Sequence, residues 1–166
     1  CSMSMPTYIG TKVVSATPMN RLAYNKYRGW DLPANENGAD EGYLVEYQDG
    51  GTPNHALHKG YISWSPKQQF DNAYRRTDGL TFGLAIEAAK LGKRIARAGW
   101  NGSGMFAYYV PAASYPAQTG AAKAHFGDVG MVPYRAYLAL KTAQGDVATW
   151  APSCSDALAE DWQILE

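Results

Sequence analysis

Residues 80–110 read LTFGLAIEAAKLGKRIARAGWNGSGMFAYYV, and the reading of this stretch decides the fold. Thr81 is placed to cap a helix whose apolar residues Phe82, Ala85, Ile86 and Ala89 recur on one helical face. Lys90 and Lys93 suit the negative end of the helix dipole, and Gly92 follows Leu91 where a left-handed stop is needed. Residues 94–97 then alternate charged and apolar, as a strand does. Residues 98–104 (AGWNGSG) form a glycine-rich turn, and residues 105–110 an apolar, aromatic strand. The order is helix, strand, hairpin, strand, with Trp100 and Asn101 at the tip.

Toward the C-terminus, residues 112–132 (AASYPAQTGAAKAHFGDVGMV) lose periodicity and read as a long irregular loop. Residues 134–142 are strongly β, with Tyr137, Ala139 and Lys141 on one face and Leu138 and Leu140 on the other. Residues 143–146 make a hairpin turn, and residues 147–150 return. Ser153 or Ser155 caps a short helix, and Ser153 with Asp156 has the spacing of a capping box. Residues 161–165 close the sheet, with Trp162 read as core. The predicted fold class is α+β: an antiparallel sheet with one main and one short helix, preceded by a small α+β module.

Upstream, residues 75–79 (RRTDG) are charged and then turn-like, which predicts two domains, 1–76 and 77–166. In the first, residues 7–17 (TYIGTKVVSAT) have the texture of a strand interrupted at Gly10. Asn20 can cap a helix over residues 21–27 that Gly29 ends. Residues 31–42 are a polar loop, and residues 42–47 and 60–64 two antiparallel strands. Ser65 and Pro66 read as the cap and first position of a helix running to about Tyr74. Trp30 and Trp64 read as packing residues, and His55, His58 and Asp49 as members of a solvated loop rather than metal ligands. Residues 1–4 read as an expression remnant ahead of Met5.

The 15 basic and 15 acidic residues cancel, which argues against a nucleic acid polymer as partner, since such binders carry a basic surplus. A small anion needs only two or three local cations and stays open. No apolar run approaches the length of a membrane span, so no membrane partner is expected. Cys1 and Cys154 make neither a disulfide framework nor a metal motif, and neither metal nor cofactor is expected.

The familiar catalytic motifs are missing from the sequence: there is no G-x-S-x-G, H-E-x-x-H or P-loop. Asp156, Glu160 and Asp161 lie close together but read as helix-terminal charge, so no enzyme is expected. Binding chemistry is better supplied. Trp100 and Trp150 have flat faces for a base, or plug the sheet. Asn101 or Asp161 can read a base edge, though Asn101 also suits a bare hairpin turn and Asp161 an arginine partner. Arg97, Arg135 and the Gly102–Gly104 turn can meet phosphate, and Tyr108 adds a hydroxyl and a ring edge.

TFGLAIEAAKLGKRIARAGWNGSGMFAYYVP and YRAYLALKTAQGDVATWAPSCSDALAEDWQIL together resemble a phage-encoded domain family, formerly of unknown function. It includes the second type of Thoeris anti-defence proteins. The motifs carrying the resemblance are ARAGWNG, MFAYYVP, the run from Lys141 to Trp150, and AEDW. The resemblance implies capture, without cleavage, of a cyclic ADP-ribose isomer or a cyclic dinucleotide in the host bacterial cytoplasm during infection. It also implies base stacking by Trp100 and Trp150, and a homo-oligomer (dimer or tetramer) with ligand pockets between subunits. The N-terminal half resembles an uncharacterised phage module through YIGTK, RGW, DEGYLVEY and GYISWSP, which implies no mechanism.

Overall fold

The computed structural model describes residues 4–166, so the expectations on Cys1 and most of the remnant lie outside the described residues. The chain divides into two compact units, the first ending at Tyr74 and the second spanning Arg75–Glu166. Both are α+β.

In the first unit, β1 (Val14–Pro18), β2 (Gly42–Tyr47) and β3 (Ile62–Pro66) form an antiparallel sheet in the order β1-β2-β3. Helix α1 (Arg21–Arg28) starts at Asn20, whose side chain accepts from the Ala23 N–H at 2.8 Å, and ends at Gly29. Tyr24 of α1 packs with Leu44 and Ile62 to make the core, with Met19, Tyr27 and Trp64 at its margin. A short helix α2 (Lys67–Ala73) follows β3.

Two local expectations need correction. The strand read over residues 7–17 begins only at Val14, and Tyr8 and Ile9 are exposed. Strand propensity needs a paired neighbour, and β2 offers partners only from Tyr43 to Tyr47, opposite Pro18 to Val14. Ser65 and Pro66 belong to β3, not to the helix, because they pair with Tyr43 and Gly42. Helix α2 then starts at Lys67 without a side-chain cap. Pro66 has no N–H to give and sits at the end of an edge strand, where none is required.

The second unit is built on a five-stranded antiparallel sheet in the order β10-β4-β5-β8-β9. Its strands are β4 (Arg94–Arg97), β5 (Phe106–Val110), β8 (Tyr137–Lys141), β9 (Val147–Trp150) and β10 (Trp162–Leu165). Helix α3 (Phe82–Lys90), capped by Thr81, packs on the face bearing Ile95, Ala107 and Trp162. Ala85 and Ala89 are fully buried there, and their small side chains let helix and sheet approach closely. Leu80 exchanges both backbone hydrogen bonds with Trp162 and so seats the start of α3 on the closing strand. Helix α5 (Cys154–Leu158) carries the capping box between Ser153 and Asp156.

The region read as a long loop is structured. It holds β6 (Ala113–Pro116), α4 (Gly120–Phe126) and β7 (Met131–Tyr134), with β6 and β7 paired in a separate two-stranded sheet. Its small residues hid this: alanine is the best helix former, and Thr119 caps the segment by accepting from Ala122 N–H. The strand read over residues 134–142 accordingly splits, with β7 ending at Tyr134 and β8 starting at Tyr137.

At Gly42 the backbone approaches its neighbours too closely for a side chain. A Cβ there would lie 2.4 Å from both the Ser65 carbonyl oxygen and the Trp64 ring. Gly42→Ala is expected to destabilise the first unit by about 2–3 kcal/mol through overpacking, read as an earlier denaturant midpoint in the Trp64 environment by fluorescence.

Candidate functional site

The sequence-derived candidates gather around the end of β4. Trp162 lies opposite Arg97 on the helix-covered face and is fully buried. Trp100 folds back from the glycine-rich turn to meet it edge to face, with ring centroids 5.3 Å apart. Trp150, at the end of β9, closes the triangle at 5.9 Å from Trp100 and 6.0 Å from Trp162. Phe82 of α3 adds a fourth ring against Trp150 and Trp162. Edge-to-face geometry is the favourable one for such clusters, contributing about 0.5–1.5 kcal/mol per pair beyond area burial. Trp100 and Trp150 are half-buried, so each helps build the core and still presents part of its ring outward.

Beside the rings lies a charged clamp. Arg97 donates from Nε to Asp161 Oδ1 at 2.8 Å and from Nη1 to Asp156 Oδ1 at 2.9 Å. Asp156 Oδ1 also accepts from Trp100 Nε1 at 3.2 Å, and its Oδ2 from the Ser153 N–H at 3.1 Å. Asp161 Oδ2 accepts from the Gly99 N–H at 2.8 Å. A Cβ on Gly99 would stand 2.7 Å from that same oxygen, so a side chain there would push the carboxylate off the Gly99 N–H. Trp162 Nε1 donates to the Asp156 carbonyl, which fixes α5 over the cluster.

These contacts set the ionisation. The Arg97 hydrogen bond, followed by that of Gly99, holds the Asp161 carboxyl below the usual aspartate range. For Asp156, burial pushes upward, but hydrogen bonds from Arg97, Trp100 and Ser153 outweigh it and the net shift is downward. Arg97 is raised by both carboxylates and stays protonated. The clamp holds two negative charges and one positive, and each carboxylate oxygen has a donor. Arg97 and Asp161 therefore engage each other, the structural alternative for Asp161.

The other candidates lie elsewhere. Asn101 is exposed at the turn. Arg135 is exposed in the two-residue link before β8, whose Leu138 pairs with Trp150, and it has no ion-pair partner among the described residues. Tyr108 is on the opposite sheet face from Ala107 and the tryptophans, beside Phe106. Sequence reasoning set Asp156 aside as helix-terminal charge. Its capping box was the available signal, but its partners Arg97 and Trp100 lie 59 and 56 positions away. In the first unit, the loop read as solvated is engaged instead: His58 contacts Glu46 at 2.6 Å and the Tyr27 hydroxyl at 2.5 Å, and His55 stacks on Tyr27. Asp49 pairs with Lys12.

Because both aspartates have lowered folded-state pKa values, they contribute stability above their unfolded pKa, near 3.9, and lose it as pH falls through the folded values. The second unit is expected to lose tryptophan near-UV circular dichroism on acidification below about pH 4. Arg97→Gln is expected to flatten that acid limb and to lower stability at neutral pH by about 2 kcal/mol, less than a fully buried pair would lose. An unchanged acid limb in Arg97→Gln would refute the clamp as its source.

Two comparisons with known proteins fall on this unit. The model of the Thoeris anti-defense 2-like domain matches residues 80–165. Thoeris anti-defense 2 of Bacillus phage SP01 is 34% identical over 87 residues, which span 52% of this chain and 94% of that protein. The match runs from the Leu80 bridge to the closing strand and includes every residue of the aromatic cluster and its clamp. The chain belongs to the Thoeris anti-defense 2-like domain family.

Proposed function

We propose that this chain is a phage anti-defence protein whose second unit captures a cyclic nucleotide immune signal and holds it uncleaved in the host bacterial cytoplasm. The carrying observation is the match to Thoeris anti-defense 2 across nearly the whole of that relative. The ligand is a cyclic ADP-ribose isomer or a cyclic dinucleotide. Its base stacks on the outward parts of Trp100 and Trp150, where such contacts contribute roughly 1–3 kcal/mol per base. Asn101 meets polar groups from the exposed turn, and Arg135, a cation with no ion-pair partner among the described residues, meets phosphate. Arg97, Asp156 and Asp161 position Trp100 rather than touch the ligand.

The acid–base chemistry of the clamp supports sequestration over turnover. A general acid or base must exchange a proton near the working pH. Asp156 and Asp161 are held ionised, with their oxygens already accepting hydrogen bonds. Capture alone suffices when the protein outcompetes the host receptor. Nanomolar affinity, roughly −12 kcal/mol, is the scale that mass action requires. A homo-oligomer suits the sheet: Arg94, Phe106 and Tyr108 face away from α3, with the Arg94 guanidinium over the Phe106 ring. A second copy seated on that face would bring Tyr108 into the assembly.

The test incubates the protein with a panel of cyclic ADP-ribose isomers and cyclic dinucleotides, follows depletion of free ligand, then heats and assays again. Depletion followed by recovery of intact ligand is expected. Depletion without recovery would make the protein an enzyme, and no depletion by folded protein would end the nucleotide reading. Trp100 packs on the core, so the informative variants are exposed. Arg135→Gln is expected to weaken capture roughly 10–100-fold, the scale of a charged hydrogen bond, without shifting the melting temperature.

A further inference from the structure

The first unit contains a cleft of about 630 Å³ of its own, a volume within the range of small-molecule sites. Every residue lining it belongs to that unit. Two arginines of α1, seven positions apart and so on one side of the helix, reach it. Both lie over tryptophans: Arg21 over Trp64 and Arg28 over Trp30, each guanidinium carbon 4.3 Å from the ring centroid.

Some of the polar lining is already committed. Arg21 pairs with Glu36 at 2.9 Å. Both ends of the Asn54 amide are spent on the backbone of Ile62. Three groups are left over. Asn25 is only 7% exposed, yet its side-chain amide makes no hydrogen bond among the described residues. The fully buried side-chain atom without a partner among the described residues is Arg21 Nε, so the Asn25 amide, which lines the cleft, still reaches solvent and can take a ligand there. Arg28 donates to the Tyr24 hydroxyl at 3.0 Å but has no carboxylate partner. Asp31 lines the same cleft, three positions from Arg28, and is not paired with it or with any other cation among the described residues.

An unpaired guanidinium, an unpaired carboxylate and an unused amide in one cleft, beside a half-exposed indole, call for a ligand that complements all four. Trp30 keeps 52% of its surface exposed although Arg28 covers one ring face. A flat base stacks on such a surface. An asparagine amide pairs with one edge of an adenine, its NH2 donating to N7 and its carbonyl accepting from the N6 amino group. A carboxylate accepts from ribose hydroxyls, and a guanidinium binds phosphate. We propose that the first unit carries a nucleotide-binding site of its own, with Trp30 stacking the base, Asn25 reading its edge, Asp31 on the ribose and Arg28 on the phosphate. This site is separate in sequence from the tryptophan cluster of the second unit and does not depend on the proposal made for it.

Adenosine monophosphate, titrated calorimetrically into the full chain and followed by tryptophan fluorescence, is the probe. Saturable binding with a quenched indole signal is expected, with inorganic phosphate alone at least about a hundredfold weaker because it leaves stacking and base-edge contacts unmade. Arg28→Gln is expected to weaken binding by about tenfold or more. Asp31→Asn, at an exposed position where the fold is not at stake, is expected to weaken it about threefold or more, and that difference should vanish for a 2′,3′-dideoxy analogue. Absence of saturable binding by folded protein, phosphate binding as tight as the nucleotide, or affinity unchanged in both variants would each overturn the assignment.

Discussion

Arg97 donates to Asp161 and Asp156 at once, and these carboxylates also accept from the Gly99 N–H, the Trp100 indole N–H and the Ser153 N–H at the cap of α5. That single guanidinium ties together the end of β4, the glycine-rich turn, the start of α5 and the entry to β10. Each of these segments is short and would be marginal alone. The planar fork of arginine suits the role because it offers donors in two directions with fixed geometry, which a lysine would not. The clamp also orients Trp100. Its indole N–H has a fixed acceptor, so its ring is held against Trp150 and Trp162 rather than free to rotate.

The aromatic cluster does two jobs that pull in opposite directions. Burial of Trp162 and Phe82 supplies apolar area to a small unit, where core is scarce. Leaving Trp100 and Trp150 half-buried gives up part of that area and keeps ring surface for a partner. Alanines of α3 make the arrangement possible by taking almost no room on the inner side of the helix.

The two units handle charge differently. In the second, the central arginine is matched by two carboxylates and every listener in the network has a speaker. In the first, arginines are laid on tryptophans, which shields them without neutralising them, and one cation and one anion of the cleft remain unmatched. Cation–π contact contributes about 0.5–2 kcal/mol without using up the N–H donors. An arginine held this way stays available for hydrogen bonding to something else.

Much of this was legible in the sequence. The caps at Asn20, Thr81 and Ser153, the helix over residues 82–90, the strands β4, β5, β8, β9 and β10 and the burial of Trp162 follow from local pattern, because capping and periodicity are set by residues a few positions apart. The gathering of Arg97, Trp100, Trp150 and Asp161 was expected only as a set of candidates; an arginine partner for Asp161 was one open reading, but which arginine, 64 positions away, was not. Three features were decided by tertiary structure. The β6–β7 pair is joined across α4, the clamp spans up to 64 positions, and the first-unit cleft joins α1 to β3. In each case the partners are distant in sequence, and no local propensity specifies which distant strand, carboxylate or ring a side chain will meet once the chain has closed its sheets.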